Sequence, residues 1–304
     1  MAAVMRPQYS DLYGSSMLPV LEELFLQSFA EAASIREMLF KVVSHDRDIW
    51  QATELHDLPL FSAMSEGEDY SYVGNKQGYD KTLSMIKYGL GASISEEAID
   101  DGKFSLVADL MRRMGRSARE SQEISAMNVF NNGFSSETCA DGVAVFSSSH
   151  LLPSGGTFRN RPSSYADLSV SSLETALTDF ETIFVGDSGI YYRIMPKVLL
   201  VHPSNKRLAK ELIGSDLKAE TANNNMNSFK EEGLVVMSSP RLTDSDAWFL
   251  LGAPSDTGLR IVSRSPIQTK SNENFDNDTV KYKSRYREKI GVTHGYGIYG
   301  NSGA

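Results

Sequence analysis

The spacing of apolar residues between Gly102 and Gly133 predicts one long helix. These residues recur mostly at three- and four-residue steps, as one buried helix face requires, and they are Phe104, Val107, Met111, Met114, Ala118, Ile124, Met127 and Phe130. No proline interrupts the stretch, and its internal glycine, Gly115, costs only about 1 kcal/mol. About 28 residues at ~1.5 Å each give a rod of ~42 Å. We therefore expect other segments to lie along this helix.

A second pattern, strict alternation, covers TVKYKSRYREKIG near the C-terminus and predicts a β-strand. One face carries five cations, Lys281, Lys283, Arg285, Arg287 and Lys289. The other face carries Val280, Tyr282, Ser284, Tyr286, Glu288 and Ile290. Like charges on one face repel, so we expect either acidic groups from another segment or chain opposite them, or a strand that protects a sheet edge.

The residue pattern in the first third of the chain predicts an N-terminal arm, a helix and a hairpin. An aperiodic N-terminal stretch precedes an amphipathic helix near Leu18 to Val43, with Pro19 in its first turn. Between Asp48 and Ser95, two β-like runs flank a polar middle, which indicates a long hairpin. Its exposed tip holds Glu66, Glu68 and Asp69. A solvated loop is favoured there over a metal site, because no histidine or further carboxylate supports them at ligand spacing.

Residues 140–263 predict a sheet with helices packed on it. Ser171 and Glu174 have the spacing of a capping box and predict a helix start. KVLLVH is a buried strand followed by a short helix ending near Gly214, and LVVMS, AWFLLG and LRIVS are further strands. The long helix and the C-terminal strands would then share one domain, with this block inserted between them.

Composition and charge narrow the function. The 304 residues are 41% hydrophobic and 23% charged, which is typical of globular proteins. A net charge of −9 argues against an electrostatic nucleic-acid binder as a whole. The basic cluster Arg112, Arg113, Arg116 and Arg119 precedes Glu120 and Glu123, which could pair with Arg116 and Arg119 at four-residue spacing, and salt bridges between elements are favoured over contacts with nucleic acid. The N-terminal apolar run is too short for a membrane span, and no signal peptide is recognisable.

The sequence offers little for catalysis. The single cysteine, Cys139, excludes an intrachain disulfide and fits a reducing cytosol. A nucleophile needs a base beside it, and Cys139 with His150 is the only cysteine–histidine pair that is close in sequence. No known nucleophile motif surrounds these two residues. The other histidines are scattered without metal-ligand spacing, and no phosphate-binding loop is present. We expect no catalytic, cofactor or metal site, and a soluble hydrolase using Cys139 or a serine in 147–149 is the alternative of a different class.

Several stretches in the last two thirds of the chain resemble a known family. In order they are DGVAVFSSSHLLPSGGTFRN, LETALTDF, PKVLLVHPSNKRLAKELI, PRLTDSDAWFLLG and VKYKSRYREKIGVTHGYGIYG. As a set they resemble the major capsid proteins of tailed phages, particularly the Mu-like major head subunits. The resemblance implies the Hong Kong 97-type fold, an α+β architecture. It assigns 1–47 to an N-terminal arm and helix, 48–96 to the E-loop, 97–139 to the spine helix of the P-domain, 140–263 to the A-domain and 264–304 to P-domain return strands.

The resemblance also implies a function without catalysis. Copies would self-assemble into hexamers and pentamers of an icosahedral shell, in a virion assembled in the bacterial cytoplasm. The shell would enclose double-stranded DNA without sequence-specific binding. Lacking a long charged coiled-coil extension before its arm, the chain would need a separate scaffolding protein or be already processed, with a portal and a decoration protein as further partners. An encapsulin-like nanocompartment is the second candidate on the same fold.

Two hypotheses concern contacts between subunits. The acidic tip, Glu66, Glu68 and Asp69, or arm residues Glu22, Glu23, Glu31 and Glu37, would meet the five cations of a neighbouring copy. Some relatives crosslink an E-loop lysine to a neighbour's asparagine. Lys76 or Lys81 with Asn272 or Asn274 qualifies by residue type, but ordinary surface residues are the favoured interpretation.

Overall fold

The computed structural model describes residues 18–55, 57–74, 77–95, 97, 104–215, 228–274 and 279–304. The helices are α1 (Leu18–Glu31), α2 (Arg36–Leu39), α3 (Phe104–Asn131), α4 (Val170–Thr182) and α5 (Lys206–Gly214). The first six strands are β1 (Lys41–Ser44), β2 (Ile49–Leu55), β3 (Gln77–Ser84), β4 (Ile86–Ser95), β5 (His150–Leu151) and β6 (Thr157–Phe158). The last six are β7 (Val198–Val201), β8 (Val235–Ser238), β9 (Trp248–Leu251), β10 (Leu259–Asn274), β11 (Thr279–Val292) and β12 (Ile298–Asn301).

The predicted long helix is confirmed as α3, which has 28 residues. Its N-terminal half buries Val107, Met111 and Met114 against Phe25 of α1. Gly115 marks the closest approach of the two helices, because a Cβ there would lie 2.5 Å from the Phe25 carbonyl oxygen. The glycine therefore weakens the helix locally but permits close helix packing.

The predicted helix from Leu18 to Val43 is wrong in its second half. Helix α1 ends at Glu31, the four-residue α2 follows, and Lys41–Ser44 form β1. Val42 and Val43 pair in parallel with Ile261 and Val262 of β10. This sheet pairing overrides local helix propensity, as tertiary context commonly does.

One four-stranded sheet has the order β1-β10-β11-β4. Strands β10 and β11 form a long antiparallel ladder, and β4 pairs antiparallel with the other side of β11. The stretch LRIVS, expected in the A-domain sheet, is the start of β10 and belongs here. The expected boundary between 263 and 264 therefore falls inside one strand, and the domain ranges remain predictions.

The second sheet has the order β12-β9-β7-β8. Helices α4 and α5 pack on one face through Phe180 and Leu212 against Leu199 and Leu250. The expected capping box is shifted by two residues. Ser169 is the N-cap with extended backbone, and its hydroxyl accepts from the Ser172 amide, while Ser172 in return accepts from the Ser169 amide. A serine at the third helical position thus replaces Glu174.

The two sheets meet in a common core. The far face of the second sheet places Phe249 against Phe130 near the end of α3, with ring centroids 5.2 Å apart. Ile261 of β10 and Val292 of β11 belong to the same apolar cluster. Within the described parts of the chain, no helix has the length and apolar character of a membrane span.

Candidate assembly surfaces

The predicted alternation of β11 is confirmed. Lys281, Lys283 and Arg285 are exposed, whereas Tyr282, Tyr286 and Glu288 are buried. The expectation that this strand protects a sheet edge is wrong, because β11 lies between β10 and β4. The outer strand on that side is β4, so the cations cover the middle of a sheet face.

Neighbouring strands widen this positive surface. Lys270 of β10 lies directly opposite Lys283, and Lys87 of β4 lies directly opposite Arg287. Directly opposite residues project from the same face of a sheet. We define the cationic face as the five β11 cations together with Lys87 and Lys270. Sequence reasoning missed these two lysines, because only strand register brings them to the face.

In the part of the chain that the structure describes, Asp48 pairs with the cationic face. The Asp48 carboxylate lies 2.7 Å from Arg287 and 2.9 Å from Arg264. Among the described residues, Lys281, Lys283 and Arg285 have no carboxylate partner in salt-bridge range. Within the described ranges, the carboxylate contact to the β11 cations thus lies at Arg287, and the end of the strand from Lys281 to Arg285 carries exposed positive charge.

The opposite face of β11 holds the sheet on the spine helix. Glu288 is buried and accepts from Arg36 of α2 and, at 3.4 Å, from Gln122 of α3. Burial raises the pKa of Glu288, and the Arg36 charge opposes that rise. Tyr286 stacks on Tyr88 of β4 with ring centroids 5.0 Å apart. Lys281, Lys283 and Arg285 lie on the other, exposed face of the strand.

The expected hairpin is present but shorter than its sequence range. Strands β2 and β3 pair antiparallel, whereas β4, the second half of the expected returning strand, joins the sheet with β11. At the tip, Glu68 accepts from the Ser65 amide at 2.8 Å, and Gly67 has a φ of +81° that favours glycine. Glu66, Glu68 and Asp69 are all exposed.

The hairpin loop is more apolar at its surface than expected. Within residues 57–74, which we call the E-loop extension, seven large apolar side chains are exposed: Leu58, Leu60, Phe61, Met64, Tyr70, Tyr72 and Val73. Phe61 and Tyr72 have almost no contact with the rest of the chain. A contiguous series of exposed apolar side chains is typical of protein interaction surfaces. From the sequence, Leu58, Leu60 and Phe61 were interpreted as part of the first strand, which ends at Leu55, and the residues from Ser62 onward as a polar middle.

The expected salt bridges between α3 and other elements are present. Glu120 pairs with Arg241, 2.5 Å away in the loop after β8, and Glu123 accepts from Ser34 at 2.6 Å. Arg119 lies 3.6 Å from the Glu37 carboxylate of α2 and also packs its guanidinium 4.0 Å from the Phe29 ring centroid. These pairs connect the spine helix to other segments, while Arg112 pairs with Asp109 within α3 at 3.0 Å.

Cys139 and His150 come together, with Asp141 beside them. The geometry does not suit catalysis, because the His150 ring nitrogens face the Asp141 carboxylate at 2.8 Å and the Val145 carbonyl at 3.2 Å. Burial and nearby carboxylates raise the pKa of the Cys139 thiol well above its usual range. The adjacent cavity of about 10 Å³ has room for about one water. A nucleophile needs a lowered thiol pKa and an accessible site, so this arrangement is structural.

The potential crosslink partners are described only in part. Lys81 donates to the Thr138 carbonyl at 2.6 Å, so its ammonium is held inside the subunit. Asn272 is exposed on β10. Lys76 and the side chain of Asn274 lie outside the described residues. The crosslink remains a hypothesis.

The family follows from a comparison with protein-family models. Residues 78–301 match the model described as phage capsid protein. The chain belongs to this family. The expectation of a capsid protein that acts as a structural subunit of the virion shell, and not as an enzyme, is thereby confirmed.

Solved structures agree with this capsid protein in fold. The capsid structure of the cyanophage P-SCSP1u matches with a TM-score of 0.59 and 11% identity, over 90% of this chain and 89% of that one. The virus-like particle from Pyrococcus furiosus matches with a TM-score of 0.54 and 14% identity, over 93% of this chain and 98% of that one. The bacteriophage JBD30 capsid matches with a TM-score of 0.52 and 11% identity, over 98% of this chain and 73% of that one. The expected Hong Kong 97-type α+β fold is confirmed. No curated protein sequence matches significantly.

Proposed function

We propose that this capsid protein is the major head subunit of a tailed, double-stranded DNA phage or prophage of the Mu-like group. The observation that carries the proposal is the E-loop extension, whose large apolar side chains have no core of their own to enter. Removing such side chains from water is favourable at roughly 25 cal/mol per Å². In a shell, neighbouring copies of the same chain are the partners that would cover these side chains.

The cationic face supplies a second surface for this assembly. Its exposed end, Lys281 to Arg285, is positively charged and therefore complementary to the acidic tip of the E-loop extension. We propose that Glu66, Glu68 and Asp69 of one copy approach this end in the next. Such complementarity sets register and encounter rate more than affinity. Repetition of these heterologous contacts closes hexamers and pentamers into an icosahedral shell.

The overall charge of −9 suits a shell around DNA. A strongly basic inner wall would hold phosphates tightly, whereas an acidic subunit encloses DNA without sequence-specific binding. A separate scaffolding protein, a portal and a decoration protein belong to the same proposal.

Electron microscopy of the full-length chain, expressed alone and with neighbouring head genes, tests the proposal. Closed icosahedral shells are expected, and heads made in the phage context should contain double-stranded DNA. A uniform monomer under every assembly condition would contradict self-assembly.

An encapsulin-like compartment is the second candidate, favoured by the nearly complete mutual coverage with the Pyrococcus furiosus particle. Mass spectrometry and nuclease treatment of purified shells distinguish the two. Shells that enclose a co-encoded protein and no genome would support the compartment and contradict the phage head.

A further inference from the structure

The root of the hairpin is clamped against two loops of the 140–263 segment. Tyr192 donates to both carboxylate oxygens of Asp57, at 2.6 and 2.7 Å, and the Ser188 hydroxyl donates to the Asp57 carbonyl at 3.2 Å. Gly186 packs so closely that a Cβ on it would clash with the Asp57 carboxylate. The hairpin root is therefore held by specific contacts at Asp57, while the rest of the E-loop extension, residues 58–74, is exposed.

The second loop closes the clamp from the other side. Ser154 donates to Asp187 through its amide, at 3.0 Å, and through its hydroxyl, so the two loops are joined. The side chain of Pro153 approaches Gly78 of β3. The β2–β3 ladder is irregular at this point, between the pairs Thr53–Asp80 and Leu55–Gln77. Glu54 lies in this irregular step, and such steps re-aim side chains.

Glu54 occupies a polar environment that does not suit a charged carboxylate. It is half-buried beside the small cavity next to Cys139. Within the described residues it makes no side-chain hydrogen bond or ion pair, and the ammonium of Lys81, on the paired strand β3, is engaged by Thr138. The titratable and charged groups around it are Asp57, Lys81, Cys139, Asp141, His150, Asp187, Tyr192, His294 and Tyr296.

Three of these neighbours are carboxylates, and each already accepts hydrogen bonds. Asp57 accepts from Tyr192, Asp141 from His150 and Asp187 from Ser154. A fourth negative charge at Glu54 would be close to all three. We propose that Glu54 makes the clamp a proton-controlled hinge, in which the hairpin root is docked when Glu54 is protonated and loosened when it is ionised.

The direction of the effect follows from linkage. Burial, and then the charges of Asp141, Asp57 and Asp187, raise the pKa of Glu54 from 4.5 to about 7 in the docked root. A released root would expose Glu54 and return its pKa toward 4.5. Docking is therefore strongest below pH 4.5, weakens as the pH rises from 4.5 to about 7, and is weakest above that. The docked-to-released ratio should fall by roughly 100-fold over this window.

Hydrogen–deuterium exchange of the full-length chain between pH 5 and 7.5, corrected for intrinsic exchange rates, tests the hinge. Protection of the β2 and β3 amides in the wild-type protein should fall as the pH rises, while β7 and β9 stay protected. Glu54→Gln should keep the root protected throughout the range. The control Glu68→Gln, at the exposed tip, should behave like wild type.

Two further variants separate the hinge from general loosening. Tyr192→Phe removes the donor to Asp57, so its root should exchange faster than wild type even at pH 5. Glu54→Met also removes the carboxylate, replacing it with an apolar side chain. It takes the place of Glu54→Gln in the exchange experiment if the glutamine variant does not fold. Wild-type protection that does not change with pH, or an unchanged pH profile in both Glu54 variants, would overturn the proposal. The measurement needs no shell assembly, so failure of the proposed function leaves it interpretable.

Discussion

The Arg36 guanidinium lies 2.9 and 3.1 Å from the two carboxylate oxygens of Glu288, and both side chains are buried. The residues are 252 positions apart in sequence. The pair joins the short helix α2 to β11, at the end of its pairing with β4 and beside α3. It is therefore a point at which the N-terminal segment is fixed to the sheet.

Replacing Arg36 with Met should destabilise the folded subunit by about 3–5 kcal/mol, because it leaves the Glu288 carboxylate buried without its cation. Urea unfolding of unassembled subunits at pH 7 measures the change. The double variant Arg36→Met, Glu288→Leu should recover much of the loss, since an apolar pair leaves no unpaired charge. Equal stability of the wild type and the single variant would show that this pair does not anchor α2.

Reversing two charges at the exposed end of the cationic face should block shell formation. Lys283→Glu with Arg285→Glu is sharper than a change that includes Arg287, because Arg287 also pairs with Asp48 within the subunit. The variant would place like charges opposite the acidic tip of a neighbour. Particle yield by sedimentation and electron microscopy measures the effect.

A matched control for this experiment lies on the spine helix. Arg113→Glu with Arg116→Glu changes the net charge equally at two other exposed positions, and should still assemble. Normal empty shells from the Lys283, Arg285 variant, with a defect only in DNA retention, would instead assign the cationic face to the inner wall.

Deleting Ser65–Gly74 should leave a folded subunit that assembles poorly. The segment is exposed throughout and contributes nothing to the buried core, so urea unfolding should change by less than about 0.5 kcal/mol. A replacement of equal length by Gly and Ser separates the sequence of the tip from its length. Wild-type particle yield from both variants would refute a role for the tip in assembly.

His294 should make the subunit sensitive to acid. Burial lowers the pKa of its imidazole from 6.5 to about 4. The neutral form therefore stabilises the fold above pH 6.5, and this contribution, about 3 kcal/mol at most, is lost as the pH falls toward 4. We expect the urea midpoint of His294→Gln to fall less steeply between pH 6.5 and 4. Parallel curves for the two proteins would contradict this assignment.

The local pattern of the sequence was enough to predict those helices and strands that have one face buried along their whole length. The apolar face of α3 and the alternation of β11 each repeat with the period of one secondary structure, so periodicity alone identified them. The motif resemblance then indicated the fold and the capsid function, which the family match confirmed.

Tertiary structure decided everything that depends on distant partners. The conversion of 41–44 from helix to strand required β10, and the division of the hairpin range into β3 and β4 required β11. The extent of the cationic face depended on register across three strands, and the environment of Glu54 on loops more than eighty residues away. Local sequence encodes period and propensity, but strand partners and carboxylate neighbours are set by contacts that form only when the chain is folded.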